Sequence, residues 1–192
     1  MGIYNTFGMA KDELQDLLLF YSSKEKHLVT FKEYIKNLKD KQDVIYYAVG
    51  ESTDKIDLMP QVEEVKEKGY EILYLTDYAD EFVVQVLQNY DNKKFINVAS
   101  SEVNLEKEKK KKEVEKLNTE SKDLLDKMKD VLKDKVTSVK FTNSLKKHPV
   151  CLTSEGAIST GMEKVLNSMP TNEKVKASTV LSINASHPIA KK

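Results

Sequence analysis

Three short, largely apolar segments constrain the fold of this chain more than any other feature of its sequence. They lie at residues 44–49 (VIYYAV), 70–75 (YEILYL) and 95–99 (FINVA). Apolar runs of this length are typical of strands that are buried on both faces of a sheet. Because helical segments separate the runs, the strands are expected to be joined by crossover helices and to be parallel. The sequence therefore predicts an α/β unit built on a parallel three-stranded sheet with flanking helices.

Capping and turn residues predict where the helices of this first unit begin and end. Residues 10–20 carry leucines at helical spacing and are predicted to form the first helix. Residues 30–33 (TFKE) fit a capping box at the start of a second helix. Pro60 suits the first turn of a further helix, and Gly69 suits the position just after its end. Asp77 is predicted to cap the next helix.

The second half of the chain shows a different order of elements. A charged run at residues 106–113 (EKEKKKKE) leads into an amphipathic stripe that continues to residue 132, which we interpret as a solvated connector helix. A small α+β unit follows, with strands predicted at residues 136–142, 150–153 and 179–184 and a helix at residues 158–169. The boundary between the two units is placed between residues 102 and 103.

The composition excludes several classes of function. The chain has 31 basic and 31 acidic residues, so its net charge is zero, which argues against a general nucleic-acid or membrane-surface binder. All 31 basic residues are lysine, so no arginine of this chain can clamp a phosphate or act as an arginine finger. No apolar run approaches the roughly 20 residues that span a bilayer. With a single cysteine and no signal segment, a cytoplasmic protein is expected.

Residues that could carry catalysis or bind a metal are few. The three histidines lie far apart, and none has a further ligand at metal-binding spacing, so no metal site is expected. Cys151 lies in an apolar strand and is interpreted as a small buried side chain, and the spacing does not support a Cys–His nucleophile with His148. A glycine-rich phosphate loop is absent, so no cofactor site is expected. Glu51 and Asp77 follow predicted strands, where open α/β sheets bind ligands, and they leave open an α/β ligand-binding domain or enzyme.

One short segment has the pattern of an adaptable apolar contact. In the helix predicted at residues 158–169, apolar side chains recur at i, i+3, i+4 and i+7, which places on one face Met162, Val165, Leu166 and Met169. Glycines and a proline bound the segment. Methionine is unbranched and polarisable, and it suits contact with varied apolar partners. On the pattern alone, the stripe either covers the sheet of the second unit or binds a partner protein.

Several segments of the chain resemble, in the same order, the heat-shock protein 90 chaperone family in its bacterial form. Each segment is a weak signal alone, but the likeness extends over essentially the whole chain. The segments are residues 17–22 (LLLFYS), 31–34 (FKEY), 45–52 (IYYAVGES), 69–76 (GYEILYLT), 80–82 (DEF), 124–139, 161–166 (GMEKVL), 181–184 (LSIN) and 187–189 (HPI). Their collinear order makes the resemblance specific.

The resemblance implies a fragment of a longer, ATP-driven chaperone. Residues 1–102 look like the C-terminal part of the family's middle domain, and residues 103–192 look like the connector helix and a truncated C-terminal domain. The ATP site with its magnesium, the catalytic arginine and the final dimerisation helices of the parent would lie outside this chain. The fragment is therefore expected to be non-catalytic, without a cofactor and monomeric, whereas the parent is a homodimer.

The resemblance also implies a role for the apolar stripe. The client-contacting helix of the family corresponds to Met162, Val165, Leu166 and Met169, so these residues are expected to bind unfolded or partly folded client proteins. The fragment would then be a scaffold and client-contact piece that receives ATP-driven closure from upstream chaperone domains. Alternatives are the enzyme or ligand-binding domain near Glu51 and Asp77, and a purely structural interaction module. Residues 159–161 (STG) depart from the helix-favouring residues of eukaryotic relatives, which leaves the start of this helix undetermined.

Overall fold

The computed structural model describes residues 11–40, 42–100, 108–145, 147–156, 158–168 and 174–191. In the first unit, short helices and strands alternate. The helices are α1 (Lys11–Leu14), which continues into a 3₁₀ turn (Gln15–Leu17), α2 (Phe31–Lys36), α3 (Thr53–Asp57), α4 (Pro60–Glu67) and α5 (Tyr78–Leu87). The strands are β1 (Leu19–Ser22), β2 (Leu28–Thr30), β3 (Val44–Val49), β4 (Leu73–Leu75), β5 (Asn89–Tyr90) and β6 (Lys93–Asn97).

These six strands form one mixed sheet in the order β2-β1-β4-β3-β6-β5. Its centre is parallel, since β3 pairs in parallel with β4 on one side and with β6 on the other. The outer pairs are antiparallel: β1 pairs with β4 and with β2, and β5 forms a hairpin with β6. The three strands predicted from the apolar runs are therefore neighbours at the centre of the sheet. The sheet as a whole, however, is neither three-stranded nor wholly parallel.

Helices cover both faces of the sheet centre, which explains why β3 is apolar along its whole length. Side chains alternate between the two faces along a strand. Ile45 and Tyr47 belong to a buried cluster that includes side chains of α2 and α5. Tyr46 and Ala48 belong to a cluster on the other face that includes side chains of α3 and α4. The first unit is thus a three-layer arrangement with the sheet in the middle.

The helix boundaries predicted from capping residues are confirmed. Thr30 Oγ1 accepts the Glu33 N–H while the Glu33 carboxylate accepts the Thr30 N–H, which completes the capping box. Pro60 is the first residue of α4. Gly69 follows the end of α4 with a φ of +72°, a conformation that favours glycine. Asp77 accepts an N–H in the first turn of α5.

The described residues 11–20 depart from the single helix predicted at residues 10–20. The α-helix ends at Leu14, and Leu19 begins β1 instead. Phe20 is 4% exposed and lies opposite Val29 of β2. The spacing of the leucines favoured a helix, but burial of an aromatic side chain in a sheet outweighs a weak local preference.

The described residues of the second unit form two long helices, a three-stranded sheet and one short helix. Its elements are α6 (Glu108–Glu120), α7 (Lys122–Leu132), a 3₁₀ turn (Lys133–Lys135), β7 (Ser138–Thr142), β8 (Val150–Glu155), α8 (Thr160–Ser168), β9 (Ser178–Asn184) and a final 3₁₀ turn (Pro188–Lys191). The strand order is β7-β9-β8, with β9 parallel to β7 and antiparallel to β8. Leu125 of α7 packs with Val139, Phe141 and Ile183 in the core of this unit.

The two units contact each other near the carboxyl ends of the central strands. The Ser154 N–H in β8 donates to the Ala99 carbonyl, just beyond β6, at 3.1 Å. Gln61 Nε2 of α4 donates to the Leu152 carbonyl, also at 3.1 Å. In addition, α8 packs against α5. The second unit therefore borders the edge of the sheet at which α/β folds commonly place their ligand sites.

Across the described ranges, the helices are too short or too polar to cross a membrane.

Candidate functional site

The apolar stripe predicted to contact partners lies on α8, which packs against α5 of the first unit. Met162 is only 5% exposed, and its Sδ accepts a hydrogen bond from Gln85 Nε2 of α5 at 2.9 Å. Val165 and Leu166 are partly exposed. Met169 lies outside the described residues. The stripe is therefore not one uniformly exposed face, because its N-terminal end is buried at the contact between the units.

Helix α5 contributes side chains beside this stripe. Phe82, Gln85 and Val86 are spaced i, i+3 and i+4, so they share one face of α5, and all three are partly exposed. Gln85 of this face contacts Met162 of α8, whereas Val86 also packs against the core of the first unit. The two packed helices carry partly exposed apolar side chains from both units. We call this set of side chains the α5–α8 surface, and it comprises Phe82, Val86, Val165 and Leu166.

The start of α8 is set by a serine that also binds the first unit. Ser159 Oγ accepts the Met162 N–H at 3.1 Å and so caps α8. The same hydroxyl donates to Glu81 Oε2 at 2.5 Å. Glu81 is 1% exposed, and its Oε1 accepts a hydrogen bond from Asn97 Nδ2 at 2.9 Å. The helix start that the sequence left undetermined is therefore at Thr160, directly after this serine.

The Glu81 carboxyl is a buried anchor with donors from both units. Burial raises the pKa of Glu81, and hydrogen bonds from Ser159, Asn97 and Tyr47 oppose that shift. Asn97 is oriented by its own Oδ1, which accepts the Ala99 N–H at 2.9 Å. A buried polar network whose members are all bonded is rigid. The arrangement therefore suits a fixed link between the units.

The alternative site near Glu51 and Asp77 has structural roles for both residues. Asp77 caps α5, and Glu51 forms an exposed ion pair with Lys55 one helical turn further along. The hydrogen bond from Lys55 holds the pKa of Glu51 below its usual value. A cleft of about 370 Å³ lies beside Glu51, between the ends of β3 and β6 and the start of α8. This geometry does not favour a reaction at Glu51 or Asp77.

Metal ligation and thiol chemistry find little support either. Within the described ranges, no three side chains of histidine, cysteine, aspartate or glutamate are grouped to hold a metal ion. Cys151 Sγ accepts a hydrogen bond from Gln61 Nε2 at 3.5 Å, and burial raises the pKa of the thiol to about 11. A raised pKa makes a thiol a poor nucleophile at neutral pH. A nucleophilic pair of Cys151 with the exposed His148 is therefore not supported.

Comparison with known proteins identifies the family. The family model described as Hsp90 protein matches residues 1–192, which is the whole chain. This chain belongs to the Hsp90 family. The resemblance to the heat-shock protein 90 chaperones is thus confirmed.

Similar relatives within the Hsp90 family carry the name Chaperone protein HtpG. The protein from Alkaliphilus oremlandii is 52% identical over 188 residues, that from Clostridium botulinum (strain Langeland) 50% over 190, and that from Bacillus subtilis (strain 168) 47% over 188. These alignments cover 98%, 99% and 98% of this chain. The chain spans 30% of the length of each of these relatives.

Membership in the Hsp90 family does not by itself locate a site, and sequence reasoning missed the contribution of α5. The signal was present in the composition of that helix. Its five apolar residues between positions 82 and 87 cover more than one face of a helix, so they cannot all pack on the sheet. Val83, Val84 and Leu87 are buried, whereas Phe82 and Val86 are partly exposed on the helix that packs against α8.

Proposed function

We propose that this chain is the part of an ATP-driven Hsp90 chaperone that connects upstream chaperone domains to bound client proteins. The observation that carries the proposal is the α5–α8 surface, to which both units contribute apolar side chains. A client bound there touches both units at once. Its affinity therefore depends on how the units are arranged, and a movement driven by ATP elsewhere in the chaperone can change that affinity.

The client in this proposal is an unfolded or partly folded protein with exposed apolar side chains. Burying one Val, Leu or Phe side chain contributes about 1.5–3 kcal/mol at most. The residues of the α5–α8 surface are already partly buried, so each gains less than that. A few such contacts give weak and reversible binding. Binding of this kind suits a protein that holds clients and then releases them.

In the same proposal, ATP and its magnesium ion bind another part of the longer protein, and this chain is non-catalytic. Support comes from the structural roles of Glu51 and Asp77 and from the raised pKa of Cys151. The longer chaperone is proposed to act as a homodimer in the cytoplasm. The 192-residue chain alone is proposed to be a monomer.

The proposal is tested by replacing partly exposed stripe residues in the 192-residue chain. Val165→Ser combined with Leu166→Ser is expected to remove most of the chain's ability to suppress aggregation of a heat-unfolded client, measured by light scattering. The matched control combines Leu58→Ser with Val131→Ser, whose side chains are 79% and 80% exposed outside the α5–α8 surface. The control removes at least as much exposed apolar area and should keep full suppression.

Met162 is left unchanged in this experiment because it is buried, and a serine in its place would leave a cavity and a buried hydroxyl. Circular dichroism must show that both variants keep the fold of the parent chain. Full client protection by the Val165→Ser, Leu166→Ser variant, with its fold intact, would show that the α5–α8 surface does not bind clients.

A further inference from the structure

Ser159 is bonded in two directions, toward its own helix and toward the first unit. Its Oγ accepts the Met162 N–H, and its O–H donates to Glu81 Oε2. A serine hydroxyl has one proton and two lone pairs, so both bonds form at once. The Ser159 carbonyl also accepts the Glu163 N–H at 3.0 Å. One residue therefore organises the first turn of α8.

Glu81 is a fixed acceptor for that hydroxyl. Its Oε1 accepts the bond from Asn97, and the Tyr47 hydroxyl contributes a further hydrogen bond to the carboxyl. Neighbouring residues of α5, Val83 and Val84, are buried in the core of the first unit. The carboxyl cannot follow a moving Ser159 without leaving buried donors unpaired, which is unfavourable.

A second chain of bonds ties the same turn to the end of β6. The Thr160 N–H donates to Ser154 Oγ at 3.4 Å, and the Ser154 N–H donates to the Ala99 carbonyl at 3.1 Å. The first turn of α8 is thus connected to the first unit through Glu81 and through Ser154. Both connections converge on residues 97–99, at the end of one central strand.

We propose that Ser159 is a positioning residue for client binding, because it joins the N-cap of α8 to the buried carboxyl of Glu81 and so makes the client-contacting helix depend on the arrangement of the two units. This inference rests on the proposed function of the α5–α8 surface. When the units separate or rotate, the Ser159–Glu81 bond breaks. The first turn of α8 is then weakened, and the α5–α8 surface loses its alignment.

Amide hydrogen exchange of the 192-residue chain tests the link at the Met162 and Glu163 N–H groups. Ser159→Ala removes the cap and the bond to Glu81, and it is expected to speed exchange there by about fivefold or more, as loss of an N-cap does. Ser159→Thr keeps a hydroxyl and should keep exchange slow. Ser168→Ala is the matched control, because it removes a hydroxyl bonded to the Val165 carbonyl at the other end of α8.

Replacing Glu81 tests the Ser159–Glu81 bond separately from capping of α8, because Ser159 itself remains in the chain. Glu81→Gln turns one acceptor into a donor and should speed exchange at Met162 and Glu163. In the double variant with Ser159→Ala, the increase in exchange rate should be less than the product of the increases in the two single variants. Glu81→Asp serves the same purpose with the charge retained, because its shorter side chain withdraws the carboxylate from Ser159. Unchanged exchange in both Glu81 variants, or fully multiplicative effects, would overturn the link.

The aggregation assay on the same variants separates this inference from the proposed function. Ser159→Ala should lower client suppression, and Ser168→Ala should not. If Val165→Ser with Leu166→Ser abolishes suppression while Ser159→Ala keeps it, the α5–α8 surface binds clients but Ser159 does not position it. If the Val165 and Leu166 replacements keep suppression, the proposed function itself fails and the positioning role fails with it.

Discussion

Glu71 and Glu33 are two glutamates whose surroundings shift their pKa values in opposite directions. Glu71 is 5% exposed; its Oε1 accepts a bond from Ser22 Oγ at 2.5 Å, and its Oε2 has no hydrogen-bond partner among the described residues. Burial therefore raises the pKa of Glu71 above 4.5. Glu33 closes the capping box of α2, and hydrogen bonds from Thr30 lower the pKa of its carboxyl below 4.5. One residue type thus contributes opposite pH dependences to the same fold.

Because burial disfavours the ionised carboxylate, the folded protein is more stable when the Glu71 carboxyl is protonated than when it is ionised. Its contribution is complete below an unfolded-state pKa of 4.5 and is lost as the pH rises through the raised folded-state pKa. The Glu71→Gln variant lacks this pH-dependent contribution to stability, because the glutamine side chain does not ionise. We expect the free energy of unfolding of this variant, relative to wild type, to increase as the pH rises from about 4 to about 7. Urea unfolding at several pH values measures it.

Glu33→Gln is the control of opposite sign. The Glu33 carboxylate stabilises the capping box when ionised, so its contribution is present above pH 4.5 and is lost as the pH falls through its lowered pKa. The stability of Glu33→Gln should therefore fall further behind wild type as the pH rises from acid to neutral. If the free energies of unfolding of Glu71→Gln and wild type differed by the same amount at every pH, ionisation of Glu71 would not be coupled to folding.

At this scale the sequence predicted those interactions whose two partners are close together in the chain. Thr30 and Glu33 are three residues apart, and helix caps at such spacing have recognisable sequence patterns. The partner of Glu71 is Ser22, which is 49 residues away. No local pattern links these two positions, so the buried carboxyl became visible only in the structure.

At the scale of elements, Asn118 of α6 occupies the outer edge of β7. Its Oδ1 accepts the Phe141 N–H at 2.8 Å, and its Nδ2 donates to the Phe141 carbonyl at 3.1 Å. The side-chain amide thus takes the place that a neighbouring strand would take. Unpaired edge strands are templates for association with other chains, so this contact protects β7 as well as stabilising it.

Asn118→Leu keeps the approximate size of the side chain but removes both bonds to Phe141, together with the bond from Nδ2 to the Val114 carbonyl. We expect it to lower the free energy of unfolding by about 2 kcal/mol, since each of the two bonds to Phe141 contributes roughly 1 kcal/mol. We also expect it to promote self-association. Urea unfolding and analytical sedimentation measure the two effects. Thr119→Ala, which removes an exposed hydroxyl bond to the Glu115 carbonyl on the same helix, should change stability by less than about 0.5 kcal/mol. Equal stability of Asn118→Leu and wild type would contradict this role.

The elements that sequence reasoning missed are short strands. β1, β2 and β5 have four, three and two residues, too few for a period to be recognised. They form because they pair with neighbours, and this pairing turns the expected parallel sheet into a mixed one. The hairpin of β5 and β6 turns at Asp91 and Asn92, which both have positive φ values, as a type I′ turn requires.

At the scale of the whole molecule, the chain is stabilised by separate cores. The apolar clusters on the two faces of the six-stranded sheet draw on residues between 14 and 98. A third cluster, in the second unit, draws on residues between 114 and 190. The units contact each other through hydrogen bonds, the Lys147–Glu63 ion pair and the packing of α8 on α5. Each unit therefore has its own core, which independent folding requires.

Residues 1–102 alone are accordingly expected to fold and to unfold cooperatively on heating, as followed by circular dichroism. A fragment of residues 103–192 should keep its core, but α8 loses its contacts with α5 there. Exchange of the Met162 amide should consequently be faster in that fragment than in the whole chain. A first fragment without a cooperative transition would show that its core depends on the second unit.

The sequence by itself determined the central strands, the capped ends of the helices and the membership of the Hsp90 family. These features depend on residues close together in the chain or on the order of segments along it. Only the tertiary structure decided the mixed six-stranded sheet, the link from Ser159 to Glu81 and the joining of α5 and α8 into one surface. Met162 and Leu166 belong to the same stripe in the sequence, yet one is buried and the other partly exposed. The difference arises because burial depends on which distant element packs beside a residue, and here that element is α5.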